Sequence, residues 1–387
     1  MRVEAFDVVV VGGGPAGAVA ARTAAQGGAR VLVLERAPSH PLRCTGLVSP
    51  RFLEALHVPR AFVLREICGL RLVPPSGQAV ELRSAQVKGC VLDRPNLDRW
   101  LLGLAQEAGA EVRLGIKALG TSKQMVTTSA GPVRSERLIG ADGPVSGVCR
   151  WAGLPGPAEL LVGLQALVAA PFPEDLVEVH LGQRVAPGLL AWVVPAEDGV
   201  LRVGLATSKG HPAAELLRQF LRRRFPGAPV VGWTAGLIPI GPPRKTAHGN
   251  VLLVGDAAAQ VKPLTGGGLF FGTCGARLAG QAVLRSEPAA WYERSWRRTL
   301  GKEITFGLRA RRLVLGLEDK QLDQLVKVLS DPALRRLIAE KGDLDFPSRL
   351  VRASLARPEG WRAVVRLFPT LGPKVLGLAL AASLGFC

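Results

Sequence analysis

The chain has 387 residues, 48% of them hydrophobic and 21% charged, which excludes a disordered protein and allows two or three lobes around a sizeable core. Lys and Arg outnumber Asp and Glu by 49 to 31, a formal charge of +18, which favours anionic partners such as phospholipid headgroups or phosphorylated substrates. No nucleic-acid-binding signature accompanies the excess, so no nucleic-acid partner is expected.

The chain opens on Asp7–Val11, a run of apolar β-formers with the pattern of a strand buried on both faces. A glycine turn follows, then a helix from about Pro15 to Gln26 and a second strand, Val31–Glu35, which completes one βαβ unit. From Cys68 to Val91 short strands alternate around Pro74-Pro75-Ser76-Gly77, a hairpin-like insertion. Pro95–Ala108 reads as a helix, Glu111–Ile139 as strands with turns, and Leu138–Ala141 as a return to the first sheet. Leu160–Val168, Leu176–Leu181, Leu189–Val194 and Val200–Ala206 are period-2 strands, crossed after them by a helix over Ala213–Phe225. Few helices intervene, so these strands predict an antiparallel sheet distinct from the βαβ domain. Val251–Val254 is again a buried-strand run, and the pattern after Leu269 is helical.

The expected fold class is therefore α/β (α+β overall): a Rossmann-type domain, an inserted antiparallel-sheet substrate domain and a helical C-terminal region. Residues 1–67, 92–158 and 249–286 are assigned to the discontinuous cofactor domain, 68–91 and 159–248 to the substrate domain, and 287–387 to the helical region. The basic clusters at Arg222–Arg224, Arg297-Arg298 and Arg309–Arg312 read as solvated faces. Six cysteines without a CxxC pair and five scattered histidines give no expectation of a metal site. The N-terminus has no secretory pattern, which predicts a cytoplasmic protein with reduced thiols. The apolar run Val375–Cys387 is 13 residues, short of the roughly 20 a membrane span needs. At most it is expected to make peripheral contact with the inner membrane face.

Gly12, Gly14 and Gly17 in Gly12-Gly13-Gly14-Pro15-Ala16-Gly17 match GxGxxG. The first glycine permits the tight turn, the second lets the backbone approach a pyrophosphate, and the third lets helix and strand pack closely. The helix N-terminus adds its positive dipole. Glu35, ending the next strand, is placed to accept both ribose hydroxyls and would repel a 2′-phosphate. Two later segments favour FAD over NAD. Leu138–Gly143 is a strand ending in a tight turn at Asp142; Val251–Ala258 places Gly255-Asp256 at a strand end, before Pro263 and the triplet Gly266-Gly267-Gly268. Asp256 suits a polyol, and the amides beginning the helix at Leu269 suit the N1–C2 carbonyl edge of a flavin, whose anionic reduced ring they would stabilise.

These three ordered motifs, over roughly Asp7 to Leu284, resemble the p-hydroxybenzoate hydroxylase superfamily of flavoproteins. The resemblance implies that Arg94, opening the helix after the first insertion, contacts FAD. Within the superfamily the chain is most similar to the geranylgeranyl reductase family. Pro41-Leu42-Arg43-Cys44-Thr45-Gly46 matches that family's CxG loop beside the flavin, and Gly255–Pro263 with Thr265–Gly268 is close to its flavin-binding loop. The substrate motif is matched in part: Trp192, Pro195 and Gly204 are retained, while Leu190 and Val194 replace aromatics and Ala206 a glycine.

The resemblance implies an FAD-dependent reductase that saturates isoprenoid double bonds by hydride transfer from reduced flavin, with an isoprenoid lipid or prenyl diphosphate as substrate. NAD(P)H or ferredoxin would supply the electrons. Its site residues would be Cys44 as the catalytic side chain and Gly12, Gly14, Ala16, Gly17, Glu35, Arg36, Arg43, Cys44, Thr45, Gly46, Arg94, Ala118, Asp142, Gly255, Asp256, Pro263, Gly266, Gly267, Gly268 and Leu269 around the cofactor. Trp192, Pro195 and Gly204 would face the substrate. An FAD-dependent monooxygenase acting on an aromatic or polyketide substrate shares every FAD motif and is the alternative; the CxG loop argues against it, as does the lack of a polar catalytic cluster.

Overall fold

A computed structural model describes residues 3–38, 44–197 and 199–373. Arg43 and the apolar run from Val375 lie outside the described residues. The buried strand Ala5–Val11 sits at the centre of a parallel sheet, as its continuous Val run requires. It pairs with Val31–Glu35 on one side (Val8 with Val31, Val11 with Leu34) and with the end of Gly131–Gly140 on the other (Val8 with Arg137, Val11 with Gly140). Val251–Leu253 extends the sheet beyond Gly131–Gly140, and Glu111–Leu114 extends it beyond Val31–Glu35, both in parallel. Helices Pro15–Gln26 and Leu269–Ala282 pack tightly together, and a Cβ on Gly280 would stand 2.6 Å from Thr23 Cβ.

A second sheet has seven strands in the order Val230–Ile240, Glu159–Ala169, Val200–Thr207, Ala191–Pro195, Leu176–His180, Gly69–Val73, Val80–Arg83. All its pairings are antiparallel except that of Leu176–His180 with Gly69–Val73. The helix Ala213–Arg224 covers one face of this sheet through Leu217, Phe220 and Leu221. The opposite face looks toward the parallel sheet.

Three details differ from the sequence reading. Gly89–Leu92 does not join the substrate sheet; it forms a small third sheet with Leu47–Val48 and Val63–Ile67, because Cys90 and Val91 are fully buried where the two larger layers meet. The 11-residue strand Val230–Ile240 is a full partner of Glu159–Ala169. The basic clusters are not wholly solvated: Arg224 turns inward to Glu178, and Arg311, 5% exposed, pairs with Glu159. Each ion pair has one member screened from water, Glu178 in the first and Arg311 in the second.

After Leu269–Ala282 the described chain is helical through residue 373. Its helices Asp319–Val328 and Pro332–Lys341 lean on the hairpin of the substrate sheet, through Val326, Leu329 and Ile338 against Val80 and Leu82. Among the described residues no helix is long and apolar enough to cross a membrane.

Candidate active site

A cavity of about 760 Å³ lies between the two sheets. At one end its wall is the Gly14-Pro15-Ala16 turn, Cys44-Thr45, Arg94, Gly255-Asp256 and Thr265–Leu269. The rest of the wall is mostly apolar and comes from the substrate sheet and the segment around Leu344, with Arg83, Ser84 and Lys88 among its polar members.

The cofactor end is shaped by glycines that accept no side chain. Gly12 has φ +106°, and a Cβ there would stand 2.3 Å from Ala141 O; on Gly17 it would stand 1.8 Å from Gly12 O. These two let the central strand, the returning strand and the first helix converge. Gly14 differs, since a Cβ there would meet nothing within 4 Å, so the space above the helix start is open. Glu35 is buried and accepts the Gly13 amide at 2.6 Å and the Ala37 amide at 2.8 Å, which fixes its carboxylate beneath the turn.

Two helices, Pro15–Gln26 and Leu269–Ala282, begin at glycine caps with no side-chain hydrogen bond to their first amides, and both starts open on this cavity. Uncapped amides and a positive helix end call for an anionic or carbonyl partner. One helix start suits a pyrophosphate and the other a carbonyl-edged ring, so the residues present fit a dinucleotide flavin. Asp256 closes the strand Val251–Leu253 with no protein hydrogen bond to its carboxylate among the described residues. Burial pushes its pKa up to about 6, against the opposing pull of Arg94. Gln260 holds this loop: its Oε1 accepts from the Gly255 amide and its Nε2 donates to Tyr292 Oη.

Arg94 opens its helix as the resemblance implies, and it is part of a buried pair: Nε and Nη2 each donate to Asp98 at 3.0 Å. Burial works against its charge, but Asp98 and Cys44 outweigh it and hold the pKa above that of free arginine. Cys44 Sγ accepts the Gly46 amide at 3.3 Å. Thr45 Oγ1 donates to Gln165 Oε1, which also accepts the Trp192 indole N–H, while Gln165 Nε2 reaches Thr234 Oγ1. These side chains form a polar crosspiece in the mostly apolar part of the wall.

Several proposed site residues stand elsewhere. Asp142 is spent as a cap, taking Ser146 Oγ and the Gly147 and Val148 amides at the start of Gly147–Trp151. Only the neighbouring Ala141 and Gly143 reach the cavity wall. Pro263 is buried against Gly307 of the helix Lys302–Leu315, Arg36 is exposed, and Ala118 packs in the cluster of Val11, Leu34 and Val148. Trp192 lines the cavity, with its indole across Gly204, where a Cβ would stand 2.5 Å from Cζ2. Pro195 is buried outside the lining.

Sequence reasoning missed Gln165, Arg202 and Asp345. Arg202, 1% exposed, donates Nη1 to Thr45 O (2.8 Å) and Leu92 O (3.1 Å) and Nη2 to Glu197. A Cβ on Gly46 would stand 2.7 Å from Arg202 Nη1, and Gly46 has φ +74°. The CxG glycine thus makes room for a buried arginine from the substrate sheet; the only signal was the unexplained glycine. Asp345, 1% exposed, receives Lys262 Nζ at 2.9 Å and the Ser49 hydroxyl.

Residues 6–132 match the family model described as pyridine nucleotide-disulphide oxidoreductase. The chain is 32% identical over 363 residues to a digeranylgeranylglycerophospholipid reductase of Methanosarcina acetivorans, covering 85% of this chain and 89% of the relative. It is 35% identical over 353 residues to the reductase of that name from Methanothrix thermoacetophila, covering 83% and 90%. The crystal structure of a geranylgeranyl bacteriochlorophyll reductase-like protein from Thermoplasma acidophilum superposes with TM-score 0.84 at 26% identity, over 97% of this chain and 100% of that one. The p-nitrophenol 4-monooxygenase of Pseudomonas putida, 19% identical over 87% of this chain and 98% of that one, shares the fold with TM-score 0.67. A protein with this fold and these relatives is a flavin-binding oxidoreductase, and the chain belongs to the digeranylgeranylglycerophospholipid reductase family, within the geranylgeranyl reductases.

Proposed function

We propose that the chain is an FAD-dependent reductase that saturates carbon–carbon double bonds in the geranylgeranyl chains of a phospholipid. One observation carries the reading: the uncapped start of Leu269–Ala282 and the apolar wall of the substrate sheet bound the same cavity. Gly14, Glu35, Asp256 and the Gly266–Leu269 amides would hold FAD, which when bound and reduced supplies hydride. The relatives named as digeranylgeranylglycerophospholipid reductases support a prenyl phospholipid as substrate.

The chain's own residues then have three tasks. Leu164, Leu190 and Val194 exclude water from the alkene, and Trp192, fixed by Gln165 and allowed by Gly204, sets the depth at which the chain lies. Saturation adds a proton to the less substituted carbon and hydride to the tertiary one, so one side chain must hold a proton. Cys44 is assigned that task at Sγ, on the loop that Arg202 positions. NAD(P)H or reduced ferredoxin is the electron source, and binding at a membrane surface is peripheral.

The test is incubation of the purified protein, reconstituted with FAD and reduced by dithionite, with a digeranylgeranylglycerophospholipid. Mass spectrometry should find a gain of two hydrogen atoms per reduced bond. A flavin-loaded protein that leaves the lipid mass unchanged sinks the reading.

A further inference from the structure

Among the described residues, four cationic side chains lie on the cavity wall: Arg83, Lys88, Arg94 and Lys262. Three are answered by carboxylates. Arg94 is bidentate on Asp98, Lys262 meets the buried Asp345, and Arg83 bonds Asp175 and Glu81. Lys88 is not. Its Nζ donates to the main-chain carbonyl of Glu340 at 3.1 Å, and among the described residues no carboxylate lies within ion-pair distance. Asp343 acts on Lys88 from beyond ion-pair distance and is held by the two terminal guanidinium nitrogens of Arg51. Burial pushes the Lys88 pKa down against the pull of Asp343, with Lys341 adding to the push, and an anion bound at Nζ would offset that cost.

Its place in the cavity gives that charge a meaning. Lys88 and Ser84 stand between the strands Val80–Arg83 and Gly89–Leu92, beside the exposed Arg83, where the wall reaches solvent. The neighbouring wall packs from Leu82, Leu72 and Leu181 through Leu70, Val177 and Val179 to Trp192, and the glycines at the helix start bound the same cavity. A cationic rim, an apolar shaft and a cofactor end match the polarity of a phosphorylated prenyl chain, head outward and tail inward. Ser84 Oγ accepts the Gln86 amide at 3.1 Å, which leaves its proton free to donate.

We propose that Lys88, with the Ser84 hydroxyl, forms the subsite for the phosphate of the substrate's head. The inference rests on the reductase reading above and adds the direction in which the substrate lies. The same chemistry serves a glyceryl phosphate or a prenyl diphosphate.

The test uses flavin-loaded wild type, Lys88→Met and Lys88→Arg with digeranylgeranylglyceryl phosphate and with geranylgeranyl diphosphate, each beside its dephosphorylated alcohol. Loss of one charge-assisted contact should raise KM for the phosphorylated substrate about tenfold in Lys88→Met. It should leave kcat and both alcohols unchanged, and Lys88→Arg should restore KM. A rise for one phosphorylated substrate alone identifies which head the site takes. An equal rise for phosphate and alcohol would show that Lys88 only ties down the helix ending at Lys341 and would overturn the proposal, as would no change at all. Binding titrated by tryptophan fluorescence is read in parallel. If wild type reduces none of the four compounds the reductase reading falls, while the phosphate-selective loss of binding in Lys88→Met still decides the subsite.

Discussion

Replacing Arg202 by Met removes a guanidinium that holds two main-chain carbonyls, Thr45 O and Leu92 O, from a strand of the other sheet. Each charge-assisted bond is worth about 1.5–3 kcal/mol, and each buried carbonyl left unpaired costs about 1–3 kcal/mol. Against this, the variant no longer buries a cation whose carboxylate partner, Glu197, is half exposed and whose Nε has no partner. The balance is a loss of about 2–3 kcal/mol, felt where the bonds end, at the Thr45 loop beside Cys44. That energy corresponds to roughly 30- to 150-fold in the population of the docked loop, and so in single-turnover alkene reduction. Arg202→Lys keeps one of the two carbonyl contacts and should fall between. The assay is single-turnover oxidation of the reduced, flavin-loaded variant by substrate, with flavin content and thermal unfolding measured alongside. A Met variant that loses stability yet keeps the wild-type rate within threefold would refute the argument, because Arg202 would then be holding the two sheets together without setting the loop.

Asp256→Asn tests the electrostatics of the cofactor end. Its folded pKa, near 6, lies above the unfolded value, so its contribution is full below about pH 4 and is lost as pH rises through about 6. Flavin-stripped wild type should therefore lose up to about 3 kcal/mol between pH 4 and pH 8 through this group, and urea unfolding of Asp256→Asn should lack that loss while its flavin affinity falls. Gly204→Ala puts a methyl 2.5 Å from the Trp192 ring and 2.6 Å from Leu164 O, a cost of about 1–3 kcal/mol. The indole must leave Gln165, so substrate KM should rise while flavin content stays at the wild-type level.

The cofactor half of the fold was legible because its constraints are local. The backbones of residues 12, 17 and 141 can meet only if glycines stand at fixed spacing, and the valine run of Ala5–Val11 declares a strand buried on both faces. What stayed hidden depends on partners far along the chain. Gly46 looks like a loop glycine until Arg202, 156 positions later, is seen against it. Gln165 looks like an ordinary polar residue on a strand until Thr45 and Trp192 converge on it. Val230–Ile240 carries Gly232, Gly236 and Pro239 and exposes Val231 and Trp233, so it lacks the apolar alternation that betrayed its neighbours. Asp142 was misleading for the opposite reason: a carboxylate at a strand end can serve a ligand or cap the next helix, and the sequence Asp142–Gly147 permits both.

The C-terminal helices decide how a lipid can reach the flavin end. Residues 342–344 are part of the cavity wall, and the next residue, Asp345, is buried and bonded to Lys262 of the glycine-rich loop and to Ser49 after the CxG loop. Arg51 holds Asp343 in the same turn through two bonds. Breaking a buried charge pair costs about 3–5 kcal/mol, and displacing this segment would break one together with a bidentate surface pair. The same movement would drag Lys262, whose Cε lies 2.9 Å from where a Cβ on Gly267 would stand, and so disturb the amides meant for the flavin. A substrate that entered here would dismantle the site it needs. The rim at Ser84–Lys88 meets the helix Pro332–Lys341 through the Lys88 bond to Glu340 O, the Arg335 bond to Glu81 O and apolar packing of Ile338 on Val80 and Leu82, and none of these ties involves the glycine loop. Entry at that rim is the route the energetics leave open, and it is also the route that delivers a prenyl tail to the flavin end before its phosphate reaches Lys88.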